Sequence, residues 1–334
     1  MGTENTHRVE SSPENVDWGA FDPDRDPVLE VSPGATVEIE TVTPPRPAHR
    51  ETLTSAGVDP DDILADEIAV AETVSHMGPG PHVVTGPAAI EGAPPGDVLE
   101  IEVVDVDLRA PYGINLFSPG GGELPERFPY EAVEVVPFDL EAGVAAFADG
   151  VELPLDPFLG IMAVSPPPSE GRTDTAPPDY FGGNLDLRRL GAGSTLYLPV
   201  HAEDALFWAG DGHGMQGDGE VCLTATETSV TATLTFELHT GTGRLDWPVA
   251  ETDDHYIVMG LNESLDDGVT HALRQCIRLL SDQTALSEAD AYRLASLAVD
   301  FTVTQVVNGT KGVHGLIPKA IFTGDGDIDP TMLE

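Results

Sequence analysis

Alternation of apolar and polar residues is cleanest over residues 230–238. Val230, Ala232, Leu234, Phe236 and Leu238 point one way, and Thr231, Thr233, Thr235 and Glu237 the other. A period of two puts one face on a core and the other in solvent, so this stretch predicts a half-buried strand. The same reading predicts strands over residues 35–41, where Val37 and Ile39 alternate with Glu38 and Glu40, and over 98–108, with Leu99, Ile101 and Val103 on one side. Residues 194–200 carry β-branched and aromatic side chains without alternation and read as a fully buried strand. Helical spacing gathers only near the end, in Val269, Leu273, Cys276, Ile277 and Leu280. A second helix follows Ser287 as N-cap, with Asp290 in its first turn and Leu294, Ala295 and Ala298 as its buried side. A strand over 299–307 and the segment 312–318 close the fold. Residues 51–72 read as weak helix or irregular structure.

Between these elements lie stretches dense in proline and glycine, which punctuate β-rich folds. They include 43–47, 86–97 and 165–178. Residues 111–130 are expected to form a long loop, whose Tyr112, Phe117 and Phe128 either pack a lid or line a substrate pocket. The order is therefore many strands, then two helices and a last strand. It implies a mainly β protein, with sandwich or barrel lobes and a smaller α+β element. We divide it into a polar N-terminal segment, 1–26, whose first residues are expected to fray; a β-rich domain, 27–240; and an α+β portion, 241–334, packing on that domain.

Charge narrows the partners. Among 334 residues, 15 are basic and 58 acidic, for a net charge of −43, and the lysines are Lys311 and Lys319 alone. Such a surface repels nucleic acid and anionic membranes. A disordered acidic tail is excluded as the source, because 40% of residues are hydrophobic and the acids run the whole length. An acid coat poor in lysine is the pattern of proteins from salt-loving cells, where a Debye length of about 3 Å at 1 M salt screens the repulsion. Folding and activity are expected to need molar salt. Two cysteines, Cys222 and Cys276, make no disulfide framework, and no apolar run is long enough to span a bilayer; a cytoplasmic protein is expected.

The chemistry concentrates in residues 183–220. Asn184 and Asp186 stand before the apolar segment, and Asp211, His213, Gln216, Asp218 and Glu220 after it. If the flanking strands pair, carboxylates and an imidazole converge on a metal site or an acid/base site. Gly210, Gly212, Gly214, Gly217 and Gly219 sit between them and allow backbone angles closed to other residues. A solvated acidic turn is the plainer reading, but it needs neither His213 nor Gln216. Candidate metal ligands are Asp186, Asp211 and His213, with Asp218 and Glu220 nearby and His82 farther off. Mixed imidazole and carboxylate donors suit zinc or a similar divalent ion. A free carboxylate, Glu220, would move the proton, and Asn184 or Gln216 would stabilise the oxyanion. Cys222, two residues after Glu220, reads as ordinary core, and His201 and His314, beside apolar residues, as core or pocket wall. No Gly-x-Ser-x-Gly elbow is present.

Several of these pieces resemble the acetamidase/formamidase family. They are Thr85-Gly86-Pro87 with Glu91-Gly92-Ala93-Pro94-Pro95-Gly96-Asp97, Pro157-Phe158-Leu159-Gly160-Ile161-Met162 and Gly182-Gly183-Asn184-Leu185-Asp186. Leu196-Tyr197-Leu198-Pro199-Val200, Ala205-Leu206-Phe207, Gly210-Asp211-Gly212-His213 and Gln216-Gly217-Asp218-Gly219-Glu220 follow, and residues 300–309 and 312–314 complete the set. The resemblance spans most of residues 28–322. It implies metal-dependent hydrolysis of a small aliphatic amide, a β-rich two-part fold and a homodimer. It also implies an active site lined by Asn184, Asp186, Asp211, His213 and Glu220, holding zinc and a second, calcium-like ion. Two departures bear on pocket size: residues 200–204 are polar where an apolar, glycine-bearing stretch is usual, and Gly214-Met215 stands where small residues are. The alternatives are a hydrolase of another linear C–N bond and a non-catalytic β-sandwich that binds calcium and a polar ligand.

Overall fold

The computed structural model describes residues 6–43, 49–241, 245–323 and 328–331. The loop expected at 43–47 falls, past Thr43, outside the described residues, as do residues 1–5. Strand pairing follows the alternation. Val230–His239 lies antiparallel between Thr36–Glu40 and Val98–Leu108. Among the described residues these three belong to a nine-stranded sheet. It begins with His7–Val9 beside Thr36–Glu40, and beyond Val98–Leu108 it continues through Ser194–Pro199, Val249–Glu251, His255–Asn262 and Lys311–Pro318 to Asp300–Gln305. Strands on both sides of position 240 therefore share one sheet.

Apolar runs without alternation build a second, seven-stranded sheet. Phe158–Val164, Phe207–His213 and Val83–Ile90 are buried along their whole length, as strands covered on both faces must be. They run antiparallel in that order, with Gly182–Asn184 on the outer side of Phe158–Val164. The two sheets face each other across the main core, where the Phe207 and Phe236 rings meet with centroids 5.0 Å apart. The buried Trp208 indole donates to Ser165 Oγ at 2.9 Å, so its polar atom is satisfied. Each such fully buried aromatic contributes on the order of 1.5–3 kcal/mol of transfer free energy.

The loop expected at 111–130 begins with a strand. Tyr112–Phe117 pairs antiparallel with Ala132–Asp139, the start of a four-stranded sheet completed by Val144–Ala148 and Val151–Pro154. A partner strand beyond the turn provides the hydrogen bonds that the proline and glycine content obscured. Tyr112 is largely buried, donates to Glu67 Oε2 at 3.0 Å and lines a small cavity with Val58, Asp62 and Val135, away from the acid cluster of residues 183–220. Phe117 and Phe128 cluster edge to face with Tyr130. Residues 51–72 lie largely in two short helices, His49–Ser55 and Ala65–Thr73.

The C-terminal helix Leu265–Gln283 packs on the outer face of the nine-stranded sheet. Its buried stripe is Gly268, Ala272, Gln275, Cys276, Leu279 and Leu280, while Val269 faces solvent. Helix and sheet meet closely at Gly260, where a Cβ would fall 2.0 Å from the Gly268 carbonyl oxygen. The next helix, Glu288–Ala298, starts as expected, with Ser287 accepting from the Asp290 amide. Its buried residues are Ala291 and Ala295; Leu294 is only half-buried. Among the described residues no helix is long and apolar enough to cross a membrane.

Candidate active site

Register decides where the acids go. In the seven-stranded sheet Leu159 pairs with Gly212 and Ile161 with Gly210, which sets Gly160 across from Asp211. Ile161 also pairs with Asn184, so the turn after Gly182–Asn184 brings Asp186 to the same place. The missing side chain of Gly160 is what makes room. A Cβ there would lie 2.6 Å from Asp211 Oδ2, 2.7 Å from Asp186 Oδ1 and 2.9 Å from His213 Cε1. Three chemically active side chains thus converge over one bare backbone position.

The expected glycine freedom is placed differently. Asp186, Asp211 and Glu220 themselves take positive φ, at +47°, +55° and +43°. Non-glycine residues in this region cost on the order of 1 kcal/mol or more each and concentrate at functional sites. Of the five interleaved glycines, only Gly219 adopts positive φ, at +107°. Gly210, Gly212 and Gly214 instead permit close approach: a Cβ would meet the Val83 oxygen, the Thr228 oxygen and the Phe138 ring at 2.8, 2.6 and 2.7 Å.

Among the described residues, ligand atoms of Asp186, His213 and Glu220 lie within 4.8 Å of one another, and so do those of Asp211, His213 and Glu227. His213 belongs to both groups. Its Nε2 stands 3.3 Å from Asp211 Oδ2 and 3.3 Å from Glu227 Oε2, and neither ring nitrogen makes an aligned hydrogen bond. Asp186 Oδ1, Asp211 Oδ1 and Glu220 Oε2 are also buried without a donor. Buried polar atoms are nearly always satisfied, so this concentration of orphans marks a place built for a missing positive partner. Imidazole and carboxylate donors around a space held open by Gly160 fit a divalent transition ion.

His82 lies at the edge of this group. Its Nε2 is 3.9 Å from Asp211 Oδ1, and its Nδ1 is fixed by the Thr175 carbonyl oxygen at 3.0 Å. Gln216 donates its amide to the Asp186 carbonyl oxygen at 2.7 Å, and Asn184 donates to the Ala176 carbonyl oxygen at 3.1 Å. In both, the side-chain oxygen is left without a donor. Asp218 stays out of the cluster and lies near Arg188 and Arg189, at 4.0 and 3.9 Å. His314 is buried with its Nδ1 2.8 Å from Thr304 Oγ1, and burial, then Arg189 and Arg188, push it down to about 4 despite Asp218. His201 packs its ring on Tyr180. Cys222 is half-buried beside Asn115 and Thr224, and its Sγ donates to the Thr224 carbonyl oxygen at 3.5 Å.

Crowding moves the proton equilibria. Burial and then Asp211 push the Asp186 carboxyl well above the carboxylate range, and burial and then Asp186 do the same to Glu220. Burial lifts Glu227 to about 7, with His213 opposing it. For His213 burial works downward, but Glu227 and Asp211 outweigh it and raise the imidazole. Burial would lift Asp211 as well; His82 and His213 outweigh it and hold that carboxyl low. A cation bound among these groups would compete with their protons.

Glu227 and Asn308 escaped the sequence reading. Glu227 enters through isolated bridges to Ile114 and to His213. Asn308, at φ +64°, donates to Asp186 Oδ2 at 2.7 Å and leaves Oδ1 free. The available signals were weak: an acid between two threonines ahead of a strand, and an Asn-Gly pair after one.

A family model described as acetamidase/formamidase matches residues 5–171 and 168–324. The chain belongs to the acetamidase/formamidase family. Among solved members, the acetamidase of Bacillus halodurans is 28% identical with a TM-score of 0.77, the match covering 94% of this chain and 98% of that one. The acetamidase of Yersinia enterocolitica is 26% identical with a TM-score of 0.80, covering 96% and 94%. The formamidase of Methylophilus methylotrophus is 29% identical over 191 residues, which are 42% of this chain and 47% of that protein. The chain thus spans about half the length of the curated relatives it matches.

Proposed function

We propose that this chain hydrolyses short aliphatic amides to a carboxylate and ammonia, with a divalent cation held by Asp186, Asp211, His213 and His82. Zinc is the cation this donor set suits best, and calcium is disfavoured by the imidazoles. The observation that carries the reading is the convergence of orphaned buried carboxylate and imidazole atoms over Gly160. A cation there supplies Lewis-acid polarisation of a carbonyl and makes hydroxide available near neutral pH.

The side chains do the rest. Burial and Asp186 raise the Glu220 carboxyl, and in its ionised form, which a nearby cation would favour, it takes a proton from water and returns it to the departing amine. Gln216 and Asn184 each donate one amide N–H to a backbone carbonyl, which leaves each a second N–H and an oxygen without a donor. Gln216 Oε1 accepts a hydrogen bond from the substrate NH₂, and the remaining amide N–H of Gln216 or Asn184 is the donor for the oxyanion. Asn308 fixes one oxygen of Asp186 and thereby aims the other. A charge of −43 needs screening, so the same reading places the protein in a salt-loving cell; a cytoplasmic homodimer is the further part of it, from the family likeness rather than from charge.

Ammonia release from formamide, acetamide and propionamide in molar potassium chloride tests this. Release should stop on chelation and return with zinc. Well-folded, metal-loaded protein that releases none would refute it, and retention of calcium alone would favour a non-catalytic binding module.

A further inference from the structure

We infer that the cleft beside Glu220 selects amides with an extended aliphatic acyl chain, of roughly four to six carbons, over formamide and acetamide. The inference rests on the amidase reading above and specifies its substrate. A cleft of about 260 Å³ has Gln216 and Glu220 at one side and Val136, Phe147, Leu153 and Met215 along its wall. Val136 and Met215 are buried and belong to one apolar cluster with Phe138, Ala145 and Leu153, whereas Phe147 is 50% exposed at the mouth.

The polar side chains Asn115, Asp218, Cys222, Thr224 and Thr226 also line the cleft; Asp218 lies near Arg188 and Arg189, and the hydrogen bonds of Asn115 and Thr224 are committed elsewhere. Asn115 Nδ2 donates to the carbonyl oxygens of Thr224 and Ala225 at 3.0 and 2.8 Å, and Thr224 Oγ1 accepts from the Leu116 amide at 2.9 Å. The buried atoms left without a donor are Gln216 Oε1 and Glu220 Oε2. The cleft wall is therefore largely apolar, and the acceptors Gln216 Oε1 and Glu220 Oε2 lie buried next to it. An aliphatic amide has the matching shape, an NH₂ with two donors and an apolar tail.

Size decides which aliphatic amide. At about 30 Å³ for a water-sized group, the cleft holds roughly eight such groups. Formamide and acetamide would leave most of the apolar wall wet. Each added methylene that reaches the wall should raise kcat/KM about four-fold, equivalent to about 0.8 kcal/mol. The gain should end where the tail passes Phe147 into solvent.

The test is kcat/KM for the linear amides from formamide to hexanamide with zinc-loaded protein in molar salt. The value should climb to the four- to six-carbon amides and then level. Leu153→Asp should lower the hexanamide-to-formamide ratio at least ten-fold. Phe147→Ala, at an exposed position that folding tolerates, should lower it a few-fold. A maximum at formamide, or equal effects of both variants on both substrates, would overturn the chain-length inference alone. Absence of release from every amide would overturn the amidase reading beneath it.

Discussion

Asp66 and Asp186 are both acids drawn away from water, and their surroundings are opposite. Asp66 accepts from Ser11 Oγ at 2.5 Å and from Arg109 Nη2 at 2.7 Å, and Arg109 also donates to Ser11 Oγ and to the Thr41 carbonyl oxygen. Nearby, Glu40 lies 3.4 Å from Arg109 and pairs with Arg8, and Glu67 accepts from Tyr112 and Ser229. These acids join the N-terminal strands to the sheets and have their donors inside the chain. Around Asp186, four carboxylates share one imidazole, and most oxygens that face the centre have no donor. Asn308 donates to one oxygen of the Asp186 side chain. The first arrangement holds the fold together. The second gathers like charge out of water, a cost that a bound cation would offset.

Proton linkage shows the same opposition. Burial would raise Asp66, but Ser11 and Arg109 outweigh it and lower its carboxyl. Its stabilisation is present above the ordinary carboxylate pKa of about 3.9 and is lost as the pH falls. Asp186, Glu220 and Glu227 are raised, so their contribution is present below about pH 4.3 and is lost as the pH climbs, for Glu227 through about 7.

The contrast can be broken most directly at Glu220. Glu220→Gln should lower kcat by about 10³-fold, roughly 4 kcal/mol of barrier, with metal content retained and the melting temperature not lowered, since it removes one of several crowded charges. Turnover near that of the unaltered protein would remove Glu220 from proton transfer. Arg109→Ala should do the reverse. Leaving Asp66 and Glu40 without their shared cation should cost about 3–5 kcal/mol in a denaturant titration, while kcat per folded molecule stays unchanged. A kcat that falls with unchanged stability would mean that the two clusters are not separate in function.

Metal removal sharpens the comparison further. At a hundred-fold excess over Kd, zinc should stabilise the protein by about 2.7 kcal/mol, and the gap between loaded and chelated melting temperatures should widen from pH 5 to pH 7.5 as the cluster loses its protons. A gap that is constant or narrows would contradict proton displacement. The smallest effect is expected at Asn308. Asn308→Ala should weaken zinc binding about 10- to 100-fold in a chelator competition, through lost orientation of Asp186. Unchanged zinc affinity would leave Asn308 a loop-shaping residue only.

Much of this was legible in the sequence, for identifiable reasons. The strand at 230–238, the strand at 98–108 and the Ser287 cap depend on residues within a few positions of one another, and each was found close to its expected place. Asp186, Asp211, His213 and Glu220 could be named because acids and an imidazole interrupt an otherwise apolar, glycine-rich run. The strand Tyr112–Phe117 could not, because its hydrogen-bond partner lies beyond a turn whose composition resembles a loop.

What the sequence determined by itself is which side chains carry chemistry and which segments are strands, since both are matters of residue type and short-range period. What only the tertiary structure decided is their meeting point. The pairing of Phe158–Val164 with two distant strands sets Gly160 beneath Asp186, Asp211 and His213 and draws Glu227 to His213. The loop after Asp300–Gln305 then brings Asn308 to Asp186. Register between strands far apart in the chain is fixed by packing of the whole core, and no local pattern records it.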